Sequence, residues 1–301
     1  MPLITTAASA SARGFGFAKQ SASTMTAPLN GYDLWLDAAD PSVFTYSSGT
    51  VVSRWTDKSP NGYFFEPAGT SMAPSRSGTQ NSKSTLVFDG TNDGLAAVGS
   101  TSNWTYLHDG TKCTVFIVYK WTKTISGTAF DGTLLNTTKY VFSSITDGYP
   151  GFDLYNQVQS SGGTDYDTQY PSINTGVTLS GQTYPSTITA TNYLQGSTYN
   201  SWDISTGLID PNNATTANKY NQYNTNDPFP NSPATALTGQ GWSAPSSSNP
   251  QGTLSIGRID NSGNYRALEG QIAEIVIYKS LLSSADRVAM VNYFKNKWNI
   301  S

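Results

Sequence analysis

Most sites that cleave glycans need two carboxyl groups facing each other across the scissile bond, and alternate positions on one strand give carboxylates a common face. The chain has only three glutamates, Glu66, Glu269 and Glu274. Glu66 stands beside Pro67. Glu269 and Glu274 lie five apart, on opposite faces of a regular strand. Glu274 reads as a structural carboxylate at the edge of the fold. The best-spaced acidic pair is Asp165-Tyr166-Asp167. It reads as a carboxylate pair, as a calcium corner or, in so Gly/Thr/Tyr-rich a stretch, as a solvated turn. Asp89 and Asp93, in Asp-Gly-Thr-Asn-Asp-Gly, leave the same choice between calcium ligation and turn chemistry.

Nucleophile–base chemistry needs a histidine or a substitute near Ser or Cys. His108 is the only histidine, in a turn before a strand, and is expected at or near the surface. Cys113 is the only cysteine and lies in an apolar run, where it reads as a small buried hydrophobe. One cysteine permits no internal disulfide, and one Cys with one His cannot make a zinc site. No phosphate-cradling glycine loop is present. The expectation is therefore no catalytic set, no enzyme and no cofactor, with calcium left open.

Aromatic residues are the more conspicuous chemistry. They make up 12% of the chain, as much as all the charged residues together. Between Tyr140 and Gly257 the only basic residue is Lys219, against seven aspartates, and the polarity comes from Asn, Ser, Thr and Gly. Tyr149, Tyr155, Tyr166, Tyr170, Tyr193, Tyr199, Trp202, Tyr220, Tyr223 and Trp242 fall in this stretch. Tyr and Trp offer a large contact area at low entropic cost, suited to sugar C–H faces or to neighbouring subunits. For each of them taken singly, core packing is the plainer alternative. With 17 scattered Lys and Arg and a net charge of −3, no basic stripe exists for a nucleic acid. No run of 18 apolar residues occurs to span a membrane as a helix.

The elements that would position these residues are mostly strands. Tyr32–Asp37, Val51–Trp55, Thr85–Phe88, Cys113–Tyr119, Gly252–Gly257 and Gly270–Tyr278 are rich in β-branched and aromatic residues and end at Gly, Asn, Asp or Pro turns. The Cys113–Tyr119 run reads as a strand buried on both faces. Short strands are expected near 151–155 and 187–193, with long loops through the rest of 140–250. A helix over about 284–298 is capped by Ser283 or Ser284, carries Asp286 in its first turn and Lys295 and Lys297 in its last, and presents Val288, Val291, Phe294 and Trp298 as its apolar stripe. Residues 1–28 lack any helical or strand period and do not read as a secretory signal. They read as a floppy tail, or as an arm that orders on a partner with Arg13, Phe15 and Phe17 as anchors. The domain division is an arm over 1–28 and a single domain over 29–301.

Four stretches together resemble the laminin-G-like, or concanavalin A-like, jelly-roll domain. They are Leu34-Trp35-Leu36-Asp37-Ala38 with Trp55-Thr56-Asp57-Lys58-Ser59; Leu86-Val87-Phe88-Asp89-Gly90 through Asp93-Gly94; Thr114–Tyr119; and Gly270-Gln271-Ile272-Ala273-Glu274-Ile275 with the closing Tyr293-Phe294-Lys295-Asn296-Lys297-Trp298. The match covers about 30–130 and 250–301. It implies an all-β fold, an antiparallel β-sandwich with a C-terminal helix, and such sandwiches serve as lectins, glycanases and plain structural modules. The opening Met-Pro-Leu-Ile-Thr with Ala-Arg-Gly-Phe-Gly-Phe resembles the start of bacteriophage virion proteins, notably tail and fibre proteins of marine and cyanobacterial phages. That resemblance implies a structural protein of a virion, assembled in the host cytoplasm, whose partners are other virion proteins and host cell-surface polysaccharide, and which forms a homo-oligomer, a trimer by the habit of fibres. A capsid decoration or head-fibre protein with a subunit-clamping role is the alternative, and a glycan-degrading enzyme the least favoured reading.

Overall fold

The computed structural model describes residues 25–122, 132–136, 150–161, 164–178, 185–189, 192–194, 201–214, 220–223, 245–250, 252–258 and 267–301. These form antiparallel strands that curl into two facing layers, with one helix on the back of the first. The strands are β1 (Leu34–Asp37), β2 (Phe44–Ser48), β3 (Val51–Thr56), β4 (Phe64–Glu66), β5 (Ser75–Gln80), β6 (Lys83–Asp89), β7 (Leu95–Ala97), β8 (Cys113–Trp121) and β9 (Gly132–Asn136). They continue as β10 (Pro150–Ser161), β11 (Thr164–Thr178), β12 (Pro185–Thr189), β13 (Asn192–Leu194), β14 (Trp202–Ile209), β15 (Tyr220–Tyr223), β16 (Ser255–Ile256) and β17 (Glu269–Tyr278). The helix α1 spans Ser284–Trp298.

The first layer runs β15–β14–β8–β17. The far edge of β17 is shared by β1, opposite Glu274–Ile277, and by β6, opposite Glu269–Ile272, with β5 beyond β6. The second layer runs β2–β3–β4–β7–β16–β9–β10–β11, with β12 and β13 in line along β11. Among the described strands the ladder pair Val51 with Ser75 joins the two layers, and the Lys58 amide donates to the Trp35 carbonyl at 2.8 Å.

Alternation along the strands builds the interior. Leu34, Leu36, Val115, Ile117, Tyr119, Ile275 and Ile277 of the first layer share one buried cluster with Phe44, Trp55, Phe65, Leu95, Leu135, Phe152, Leu154 and Ile256 of the second. Each such side chain contributes ~1.5–3 kcal/mol by leaving water. The opposite faces of β8, β14 and β17 carry Phe116, Val118, Ile204, Val276 and Tyr278, which pack under α1 with Met290, Tyr293, Phe294 and Trp298. This is why β8 reads as a continuous apolar run: it is covered on both sides, as expected.

The helix keeps its expected cap, with the Ser283 hydroxyl accepting from the Asp286 amide at 3.2 Å. Its far end is held by the β5–β6 turn, where Asn81 and Ser82 adopt positive φ. Gln80 and Asn81 donate side-chain amide hydrogens to the carbonyls of Trp298 (2.8 Å) and Lys297 (3.0 Å), satisfying the open end of the helix.

Three expectations are corrected. Val288 is 43% exposed and lies off the buried stripe, which Met290 and Tyr293 fill instead, because the sheet meets the helix one position round. The stretch expected to be long loops contains the longest strands, β10 and β11, together with β14, which lies beside β8 in the first layer. Their polar Ser/Thr/Asn/Tyr composition hides them, since a sheet face turned from the core needs no apolar alternation. The expected strand over 252–257 shrinks to Ser255–Ile256.

Candidate functional site

Glu274 is the centre of the densest polar network among the described residues, and it is not at an edge. It is 0% exposed. One carboxylate oxygen accepts from Trp35 Nε1 (2.8 Å) and the Tyr293 hydroxyl (2.8 Å). The other accepts from Lys297 Nζ (2.8 Å) and Trp298 Nε1 (2.8 Å). Burial pushes this carboxyl up, and the Lys297 ammonium and the ring donors act against that push. Lys297 also pairs with Asp37 at 2.8 Å, the residue directly opposite Glu274 in the β1–β17 ladder. Asp37 and Asp40 in turn hold Lys58, which sits 4.2 Å over the Trp35 ring. The Lys58 hydrogen bond, with a contribution from Ser42, holds Asp40 down to about 2. Asp57 accepts from the Trp35 amide (2.8 Å) and from the amide and hydroxyl of Ser59.

The residue pattern that carries the jelly-roll resemblance is thus one object: Trp35, Asp37, Asp57, Lys58, Glu274, Tyr293, Lys297 and Trp298 join β1, β17 and α1. Its donors and acceptors are matched and, apart from the part-exposed Lys58 and Lys297, buried, so it ties β1, β17 and α1 together.

The expected opposition of Glu269 and Glu274 does not hold. The register of β17 against β8 slips between Ile272 and Glu274, leaving Ala273 as a bulge. Ile272 and Ile275 both face the interior, while Ala273 and Val276 face the helix. Both glutamates therefore lie on the outer face of β17, about five strand positions apart, too far along the strand to flank one bond.

The Asp89–Gly94 segment is turn chemistry. One Asp89 oxygen accepts from the amides of Thr91 (2.8 Å), Asn92 (3.2 Å) and Asp93 (3.4 Å), and Asp93 accepts from the Asp89 amide (3.0 Å). No cluster of three metal-ligating side chains occurs among the described residues. Burial, with the Asp89 charge adding to it, pushes Asp93 up from 3.8 to about 6, although Arg258 lies close and pulls the other way. The folded state thus holds a proton that the unfolded chain has already released between about pH 4 and 6. The contribution of Asp93 to stability is full below pH 4 and is lost as the pH rises through 6. Asp93→Asn is expected to be more stable than the parent by about 1–2 kcal/mol at pH 7.5, with the difference shrinking to near zero by pH 4. Urea midpoints at pH 4, 5, 6 and 7.5 measure this, and a difference independent of pH would refute it.

His108 is corrected from a surface position to a fully buried one. Its Nε2 meets the Ser248 carbonyl at 2.9 Å, tying the short 3-10 helix at Thr101–Leu107 to residues 245–250, and burial pushes its pKa down. Cys113 is buried as expected and hydrogen-bonds weakly to the Tyr106 carbonyl, and burial pushes its thiol up. No Ser or Cys stands with His108 in a nucleophile–base pair among the described hydrogen bonds.

The aromatic candidates separate into groups. Trp202 and Tyr223 pack against the cluster beneath α1, so they belong to the helix layer. Tyr220 pairs with Ile209 in the β14–β15 ladder, and its side chain lies outside the described residues. Tyr199, Trp242, Tyr149, Arg13, Phe15 and Phe17 lie outside the described residues. Tyr155, Tyr166, Tyr170 and Tyr193, with Asp165 and Asp167, lie on strands whose backbone is described, but their side chains lie outside the described residues. In the ladders Tyr155 pairs with Tyr170, Tyr166 with Gln159, Asp165 with Ser160, Asp167 with Val158, and Tyr193 of β13 with Thr168. Phe152 and Leu154 of β10 are buried in the interior between the layers.

No family model matches the chain, and no curated protein matches it. Solved structures do. A Trypanosoma rangeli sialidase in complex with a difluoro sugar acid aligns at 13% identity over 89% of this chain and 33% of its own, with a TM-score of 0.49. The Botulinum neurotoxin serotype D binding domain aligns at 12% identity over 87% of this chain and 50% of its own, with a TM-score of 0.49. A mutant NanB sialidase from Streptococcus pneumoniae aligns at 15% identity over 68% of this chain and 27% of its own, with a TM-score of 0.40. The chain spans about a third of the length of the Trypanosoma rangeli sialidases it matches. Likeness at this distance decides no activity. It does overturn the expectation that the chain is not an enzyme. That exclusion rested on the missing carboxylate pair, which not every glycan-cleaving enzyme uses. Enzyme status is open.

Proposed function

We propose that the chain is a phage virion protein of the fibre or adhesin type, anchored by its N-terminal segment and presenting the sandwich to glycan on the host surface. One observation supports this reading: the described chain enters on the helix side of the first layer, opposite the outer surface of the second layer. Met25, Leu29 and Tyr32 pack on the helix side of the first layer, where the Leu29 carbonyl accepts from the Tyr278 hydroxyl at 2.8 Å. The outer face of the second layer, over β10 and β11, lies on the far side of the interior. An attachment segment leaving from the helix side would direct that face away from the particle. The resemblance of the opening residues to virion proteins supplies the particle.

The test removes residues 2–24 and leaves Met25 and Leu29 in their seats. The truncated chain is expected to fold with unchanged thermal stability, to retain glycan binding and to be missing from purified particles. Normal loading of the truncated chain onto particles would refute the anchoring role.

A further inference from the structure

We infer that Lys297 and Asp37 condense into a side-chain amide, a covalent cross-link from β1 to the last turn of α1, with Glu274 as the group that carries the proton.

Three reacting groups stand together. The Lys297 ammonium lies 2.8 Å from Asp37 Oδ1 and 2.8 Å from Glu274 Oε2. The Asp37 carboxyl carbon is bonded to the first of these oxygens, so the nucleophilic nitrogen and its target carbon are already in near-attack contact. Little water reaches them. The Lys297 side chain is 13% exposed, that of Asp37 7% and that of Glu274 0%. Trp35, Tyr293 and Trp298 wall the group, the last two with ring centroids 5.5 and 5.2 Å from Nζ. Groups held this way react as though at an effective concentration on the order of 10⁵ M or more, which drives a condensation that bulk water would reverse.

The atoms balance without a further reagent. An ammonium and a carboxylate become one amide and one water. Glu274 takes a proton from the Lys297 ammonium and bares the nitrogen lone pair. The nitrogen bonds to the Asp37 carboxyl carbon, and negative charge gathers on Oδ2, which faces the Lys58 ammonium at 3.3 Å. The carbon–Oδ1 bond then breaks. Oδ1 leaves as water with two of the three ammonium protons, one passed straight from the attacking nitrogen and one returned by Glu274. The third stays on the amide nitrogen. Burial pushes the Glu274 carboxyl up, which suits it to hold a proton in transit.

Lys297 touches both carboxyl groups, and their surroundings choose between them. Asp37 has the Lys58 ammonium on the oxygen that becomes the amide carbonyl. Condensation at Glu274 would instead remove an acceptor oxygen of the pair that serves Trp35, Tyr293 and Trp298, leaving a buried donor unmet. The ion pair described above is the state before condensation. After it, one covalent ring contains the chain from β1 to the end of α1, and tension applied at the two chain ends passes through the cross-link rather than through the strands.

The experiment weighs the unfolded full chain by intact-mass spectrometry, freshly made and again after several days near neutral pH. Loss of the mass of one water, with a branched tryptic peptide joining the segment of Asp37 to that of Lys297, is expected. Lys297→Arg keeps the charge and cannot form the amide, so its mass should stay at the sequence value. Glu274→Gln, with circular dichroism verifying the fold, should form the cross-link roughly a hundredfold more slowly. An aged parent chain at its full sequence mass overturns the inference, as does a loss of water mapped to Glu274 or to another pair. Cross-linking at the parental rate in folded Glu274→Gln overturns the role of Glu274.

Discussion

Glu274→Ala is expected to lower the unfolding free energy by about 3–5 kcal/mol, the usual cost of breaking a buried, hydrogen-bonded charge network from one side. The substitution strips the acceptor from Trp35 Nε1, the Tyr293 hydroxyl and Trp298 Nε1 at once. Each of the three is buried, and each unmet donor costs ~1–3 kcal/mol. Lys297 keeps Asp37 and so is not abandoned, which limits the loss. A companion variant separates charge from shape. Glu274→Met with Lys297→Met fills the volume of both side chains, but it leaves the same three donors unmet and Asp37 with Lys58 alone, so it is expected to recover only the packing part of the loss. Urea unfolding followed by tryptophan fluorescence reads both variants. A Glu274→Ala protein within about 1 kcal/mol of the parent would show that the network contributes little.

Gly270→Ala is expected to be nearly as damaging, at about 3 kcal/mol, for a reason unrelated to backbone freedom. Gly270 does not lie in the left-handed region. It sits where β17 passes between Phe88 of β6 and Trp121 of β8, and a Cβ there would overlap the carbonyl oxygen of Lys120. The obstacle is backbone held in a ladder, so relief requires the strands to part, and overpacking of this kind costs ~1–3 kcal/mol or more. Gly69→Ala is the matched control. Nothing lies within 4 Å of a Cβ at that position, and its change should stay within about 0.5 kcal/mol. Equal losses at the two sites would refute the close-approach explanation.

These two positions explain what was legible in the sequence. Trp35, Asp37, Lys58, Gly270, Glu274, Lys297 and Trp298 stand out because each answers to a specific neighbour: a ring nitrogen needs an acceptor, an ammonium two carboxylates, a close strand a glycine. Such residues recur as types at fixed spacing, and the β-sandwich with its closing helix could be read from them. Their role could not, since a buried Glu274 and a reactive one look alike until their partners are placed. The middle of the chain was illegible for the opposite reason. β10 and β11 are rich in Tyr, Gln, Thr and Ser, which suit loops and solvated strands alike. Among their described side chains Phe152 and Leu154 mark the core side, and Tyr155 and Tyr170 become ladder partners only once the hairpin register is set. The bulge at Ala273 was likewise invisible, and it moved Glu274 to the other face of its strand.

Strand β17 has a further consequence for how the molecule comes into being. It is the common neighbour of β1, β6 and β8, and all three precede it along the chain. During translation, at ~5–20 residues per second, β1 emerges more than two hundred residues ahead of the segment that completes it, leaving an open edge for many seconds. Until then the first layer lacks the strand that joins β1, β6 and β8. Closure is a late event made of distant pairings, the kind that folds slowly. The polar edges of the middle strands would then keep the waiting chain from pairing with others before its own last strand arrives.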